Sequence, residues 1–128
     1  MNRLAREVMR SAPPRVAPGD PLARGAELMT LFAVREVPVV ENETVVGILS
    51  RSDLSPHLGY LELTPVRIAM TGHPKTISPN VSVVEVARAL LAGGFNGIPV
   101  VVDGALAGMI SRQDLLRVLA EWPADATD

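Results

Sequence analysis

The chain has 128 residues, 48% of them hydrophobic and 20% charged, with 12 Lys and Arg against 14 Asp and Glu for a net charge of -2. That is enough apolar side chain for a real core in one compact domain, and far from the composition of a disordered chain. An acidic balance with Lys75 as the single lysine leaves no footprint for a phosphate backbone, and the lack of cysteine removes disulfides, thiolate nucleophiles and Cys-based zinc sites, leaving His57 and His73 as the only imidazoles.

In chain order, Met1 to Arg10 interleaves Arg3, Arg6, Glu7 and Arg10 with apolar residues, so it does not read as a secretory signal. Asp20-Pro21 predicts a helix start, with Asp20 as N-cap and Pro21 at the first helical position. Val37-Pro38-Val39-Val40 reads as a strand, Asn42 as the turn of a hairpin, and Gly47-Ile48-Leu49-Ser50 as the returning strand, followed by a helix carrying Leu54 to Leu58. Gly59 to Thr64 is a joint. Thr76-Ile77 predicts a short strand stopped by Pro79.

Ser82-Val83-Val84-Glu85 then has the form of a capping box, with Val81 and Val86 placed as its hydrophobic staple. Val83, Val86, Ala87, Leu90 and Leu91 fall on one helical face, and Gly93 or Gly94 can end that helix in the left-handed conformation. Ile98 to Val102 and Ala105 to Ile110 predict an antiparallel pair of strands turned by Asp103-Gly104. Ser111-Arg112-Gln113-Asp114 caps a last helix through Ala120, with Leu115, Leu116, Val118 and Leu119 as its buried side. The apolar region Val81 to Val102 is broken by Glu85, Arg88, Gly93, Gly94, Asn96 and Pro99, so it does not read as a membrane span, and a soluble cytoplasmic protein is expected.

The chain also repeats itself. Val37-Pro38-Val39-Val40 returns as Ile98-Pro99-Val100-Val101, and Gly47 to Leu54 returns as Gly108 to Leu115, both at the shift of 61 that carries Pro38 onto Pro99. The same register superposes Met9 on Met70, Pro13 on Pro74, Val16 on Ile77 and Leu58 on Leu119. The expected organisation is therefore two copies, 4–60 and 65–121, with a polar tail over 122–128. The expected fold is α/β (α+β), two tandem β-α-β-β-α units related by a pseudo-twofold axis, with Val, Ile and Leu-rich strands buried on most faces.

Two in-register copies of a hydrophobic-Pro-Val-Val strand followed by Gly-x-x-Ser-x-x-Asp-Leu resemble a tandem pair of cystathionine β-synthase (CBS) domains, a Bateman module. The resemblance covers nearly the whole chain. It implies a regulatory module rather than an enzyme. Such modules bind an adenosine-containing nucleotide (AMP, ADP, ATP or S-adenosylmethionine) in clefts between the copies and pair as a homodimer; with no partner domain in the sequence, a regulated protein is expected in trans. It implies no cofactor beyond that regulatory ligand, and no nucleic-acid or membrane partner. Family sites draw on the first short strand and the residues entering the Pro-Val-Val strand. Here these are Val16, Arg35 and Val37 in the first copy, and Ile77, Asn96 and Ile98 in the second, while Pro38 and Pro99 read first as markers of strand edges and second as contacts for an adenine. The resemblance also brings Arg15, His73 and Lys75 into consideration.

The residue chemistry runs the same way. One carboxylate can accept from both hydroxyls of a ribose diol, which suits Asp53 or Asp114. Ser50 and Ser111 stand where a strand runs into a helix N-terminus, where a hydroxyl, free N–H groups and the helix dipole suit an anion, and Arg51 and Arg112 follow them. Ser-x-x-Asp before an apolar run is equally the pattern of a helix cap, and the residues alone leave both readings open. Glu36 stands where the second copy has Gly97, which makes the first site narrower and more acidic and favours the second. A purely structural docking module with vestigial clefts is the alternative reading.

Overall fold

A computed structural model of the chain describes residues 3–122. The tail over 123–128 lies outside the described residues. Two sets of elements follow one another: α1 (Ala5–Val8), β1 (Arg10–Ser11), α2 (Leu22–Phe32), β2 (Glu36–Glu41), β3 (Thr44–Ser50) and a 3-10 helix (Arg51–His57), then α3 (Val66–Ala69), β4 (Thr71–Gly72), α4 (Val83–Gly93), β5 (Gly97–Val102), β6 (Ala105–Ser111) and α5 (Arg112–Ala120). Every bound recurs at the shift that carries Pro38 onto Pro99, except the end of the last helix.

The chain forms two compact units, and their composition crosses the repeats. Of the described residues, one unit takes 3–12, 75–103 and 107–122, and the other takes Pro13–Pro74 with Gly104–Leu106. In the first of these, α1 and β1 are held by the second repeat: Arg10 pairs with Met109 and Ser11 with Gly108. The Ala5 and Arg6 N–H groups donate to the Val81 and Pro79 carbonyls at 2.8 and 3.0 Å, and Val83 N–H donates to Arg3 O at 2.9 Å. In the other unit, α3 and β4 follow the first repeat but are held by it. Gly47 pairs with Gly72 and Ile48 with Thr71, and Val66 N–H donates to Asp20 O at 2.8 Å.

Each unit is a short sheet covered by helices. The sheet β1-β6-β5 carries α4 and α5, and the sheet β4-β3-β2 carries α2 and the 3-10 helix. Val86, Leu90, Ile98, Val100 and Ile110 form one core with Ala5, and Val16, Leu22, Met29, Val37, Val39, Leu49 and Val66 form the heart of the other. Side chains of this size contribute about 1.5–3 kcal/mol each when fully removed from water. Pro38 sits inside β2 without breaking the ladder. Its carbonyl accepts from Val16 N–H at 3.1 Å, so its missing donor lies on the side of that single bridge and not toward β3.

Several local expectations give way. Asp20 does not cap α2: its Oδ2 accepts from Ala17 N–H at 2.8 Å and closes the preceding turn, Pro21 is the N-cap residue, and the first helical N–H groups of Leu22 and Ala23 go instead to Thr64 O and Leu61 O at 2.8 and 2.9 Å. The Thr76-Ile77 strand shrinks to a parallel bridge between Ile77 and Val100. Ser82 does cap α4, accepting from Glu85 N–H at 3.3 Å, and Gly94 ends that helix at φ 67. The first repeat's last helix is 3-10 over Arg51–His57, because Pro56 lies inside it and has no N–H to continue an α-helix. On α5, Val118 is buried and Leu115 half-buried, whereas Leu116 and Leu119 are exposed, as are Leu91 on α4 and Leu58 in the other unit. Both hairpin turns have positive φ at both central residues, 51 and 67 at Asn42-Glu43 and 52 and 82 at Asp103-Gly104, as a two-residue type I′ connection requires. Among the described residues no helix is long and apolar enough to cross a membrane.

Candidate functional site

The strands β3 and β6 each end on a serine in extended conformation, and that residue is the N-cap of the helix that follows. In the unit of the second repeat, Ser111 N–H donates to Asp114 Oδ2 at 2.8 Å, Ser111 Oγ donates to the same oxygen at 3.0 Å, and Asp114 N–H donates back to Ser111 Oγ at 3.2 Å. The capping box is thus complete, and the capping reading of Ser111 and Asp114 is realised. The other carboxylate oxygen, Oδ1, meets Arg117 Nη1 at 3.4 Å, with the Asp114 side chain 24% exposed.

Arg112 ties this end to the loop before β5. Its N–H donates to Asn96 O at 2.9 Å and its Nε to Phe95 O at 2.7 Å. Asn96 itself is exposed. Ser111, Arg112 and Asp114 therefore gather at one end of the sheet, with Asn96 joined through its backbone. Ile77 lies at the outer edge of β5, donating to Pro99 O at 3.0 Å and accepting from Val101 N–H at 2.8 Å. Ile98 has no exposed area and packs in the core, and Pro99, next along the strand and so on its other face, is buried as well, which leaves both only backbone to offer a ligand.

The first repeat's unit repeats this frame with different side-chain bonds. Ser50 N–H donates to Asp53 Oδ2 at 2.8 Å, but Ser50 Oγ lies 3.0 Å from Ser52 Oγ. Arg51 N–H donates to Arg35 O at 2.8 Å, matching Arg112 and Asn96, while the Arg51 side chain is exposed. Val16 and Val37 are core residues here as Ile98 is in the other unit, and Pro38, like Pro99, is buried outside that core cluster. Glu36 opens β2 directly opposite Ser50 in the β2–β3 register, which puts a second carboxyl-bearing residue beside this end. Arg15 is exposed, as are His73 and Lys75, which belong to separate units. Sequence reasoning passed over Arg117, whose approach to Asp114 follows from their i, i+3 spacing on a helix.

Comparison with known proteins decides the family. The CBS domain model matches residues 5–59 and again 66–121. The chain belongs to the CBS domain family. It is a tandem CBS pair, and its fold is that of solved CBS pairs. One of these is the CBS pair of protein MJ0100, solved with 5′-methylthioadenosine and S-adenosyl-L-methionine. It is 20% identical, with a TM-score of 0.85 over 94% of this chain and 98% of that one. CBSX2 of Arabidopsis thaliana, solved with AMP, is 26% identical with a TM-score of 0.82 over 92% of this chain and 96% of its own. A curated relative, the A-adding tRNA nucleotidyltransferase of Aquifex aeolicus, is 30% identical over 69% of this chain. The chain spans 11% of that relative's length and 24% of that of a second curated relative.

Proposed function

We propose that this CBS pair is a regulatory binding module for an adenosine-containing ligand, working by occupancy and not by catalysis. The observation that carries this reading is the duplicated strand-end serine with its aspartate, each at the N-terminus of the following helix. An aspartate partly open to solvent suits a ribose diol, and a helix start with a serine hydroxyl and an adjoining arginine suits a phosphate. The AMP and S-adenosyl-L-methionine complexes of proteins with this fold support the choice of adenosine chemistry. The candidate contacts are the side chains of Ser50, Arg51 and Asp53, those of Asn96, Ser111, Arg112 and Asp114, and the backbone of Val16, Val37, Pro38, Ile77, Ile98 and Pro99. We further propose a homodimer, supported by the exposed Leu58, Leu116 and Leu119, and a regulated protein in trans.

The test is a melting-temperature screen with AMP, ADP, ATP and S-adenosylmethionine. A ligand at about 100 times its Kd stabilises the folded state by about 2.7 kcal/mol, a rise on the order of 10 °C for a chain of this size. No rise with any of the four would overturn the reading and leave the structural docking module in its place.

A further inference from the structure

The two Ser-x-x-Asp ends are not equally available. In both, Oδ2 of the aspartate accepts the serine N–H at 2.8 Å. Beyond that bond they differ. At Asp114 the same oxygen also takes the Ser111 hydroxyl at 3.0 Å, and Oδ1 is met by Arg117 Nη1 at 3.4 Å. At Asp53 the Ser50 hydroxyl is paired with Ser52, and Oδ1 has no hydrogen-bond partner among the described residues. The position three residues on from Asp53 is Pro56, which carries no donor, where the second repeat has Arg117. The adjoining arginines divide in the same way. Arg112 has its Nε spent on Phe95 O at 2.7 Å, while the exposed Arg51 makes no side-chain hydrogen bond among the described residues.

We infer that the first repeat takes the ribose diol, with Asp53 as the acceptor, and that Arg117 withholds Asp114. This rests on the adenosine reading above. A diol brings two donors and needs acceptor lone pairs that are not already in use. Asp53 Oδ1 receives them with no bond lost, and Arg51 is free to turn toward an anionic 5′ group. At Asp114 the same contact requires Arg117 to swing away from Oδ1, and Arg112 to leave Phe95 O if it is to reach a phosphate. An exposed i, i+3 pair is weak, so Arg117 imposes a bias of a few-fold and not a block. The Glu36 substitution points toward the second repeat; the hydrogen bonds point to the first.

The experiment is calorimetric titration of the full chain with adenosine, 2′-deoxyadenosine and AMP. Adenosine carries no phosphate, so the charge of Arg117 cannot attract it and acts only as a competitor for Asp114. Asp53→Asn should weaken adenosine by about 10- to 100-fold and remove the preference for the ribose over the deoxyribose form, and its loss should exceed that of Asp114→Asn at least threefold. Arg117→Ala, which leaves both serine caps in place, should strengthen a weaker second binding event by about two- to fivefold. A larger loss from Asp114→Asn than from Asp53→Asn, or an Arg117→Ala protein whose every binding event matches the parent, overturns the inference while the adenosine reading stands. A parent chain that binds neither adenosine nor AMP sinks both. Ligand-free melting of each variant identifies any that fails to fold, and the Arg117→Ala comparison then decides alone.

Discussion

Gly108 and Arg10 approach so closely across the β1–β6 pair that a Cβ on Gly108 would stand 3.0 Å from the Arg10 carbonyl oxygen and 2.8 Å from Met9 Cγ. Gly47 has the same relation to the other exchanged strand, 2.9 Å from Thr71 O and 2.6 Å from Met70 Sδ. These glycines admit a backbone segment from elsewhere in the chain, and so fix which segment joins which sheet. Gly108→Ala and Gly47→Ala should each cost about 1–3 kcal/mol, because a backbone carbonyl cannot yield as a side-chain tip can. Urea denaturation checks this, and a loss below about 0.5 kcal/mol in both would show that β1 and β4 are loosely held.

The exchange also predicts where damage in the N-terminal segment is felt. Ala5 is fully buried among Val86, Leu90 and Ile98. Ala5→Asp places a carboxylate there without a partner, at a cost of about 3 kcal/mol or more. Hydrogen exchange should then accelerate at amides of β5 and β6 before those of β2 and β3, although Ala5 lies closer in sequence to the latter. Acceleration confined to β2 and β3 would refute the assignment of α1 to the second repeat's unit.

At two positions the first repeat holds a left-handed conformation with a side chain where the second repeat has glycine: Ala33, at the end of α2, has φ 54, and Glu43, in the hairpin turn, has φ 67. The second repeat uses Gly94 and Gly104 at the matching places, at φ 67 and 82. A side chain in this region costs about 1–2 kcal/mol, partly offset because glycine gives the unfolded chain more freedom. Ala33→Gly and Glu43→Gly should therefore each stabilise by about 0.5–1 kcal/mol. Unchanged or lowered melting temperatures in both would mean the strain is relieved elsewhere.

What the sequence made legible was the information carried by local pattern. The repeat register, α4 with its Ser82 cap, and both hairpins are set by neighbours within a few residues, and they appear where periodicity and turn chemistry put them. The short elements α1, β1, α3 and β4 are too brief to carry a period, and they exist because distant backbone groups such as Val81 O and Gly108 receive them. Asp20 departs from the expected cap because the Ala17 N–H takes its carboxylate, while distant carbonyls at Thr64 and Leu61 receive the first N–H groups of α2. Pro56 was a visible signal that the first repeat's last helix could not be α. At the candidate site, spacing alone puts Ser111, Arg112 and Asp114 at one strand end, where Ser111 and Asp114 form the helix cap. It could not tell that Val37 and Ile98 turn their side chains into the cores, since strands covered on both faces lose their alternation.

In the ligand-free protein the two aspartates hold their helix starts unequally. Asp114 joins Ser111 through three hydrogen bonds and faces Arg117 as well, at the head of a nine-residue α-helix. Asp53 accepts the Ser50 N–H at the head of a seven-residue 3-10 helix interrupted by Pro56. Losing a cap costs about 0.5–2 kcal/mol, set by how many otherwise unpaired donors it leaves and how much helix depends on it. Asp114→Ala should therefore fall near the upper end of that range and Asp53→Ala near the lower, a difference of about 1 kcal/mol. Chemical denaturation in the absence of nucleotide measures this. Equal losses would mean that the Ser111 hydroxyl and Arg117 add nothing to the Asp114 cap, and a larger loss at Asp53 would place the tighter cap in the first repeat.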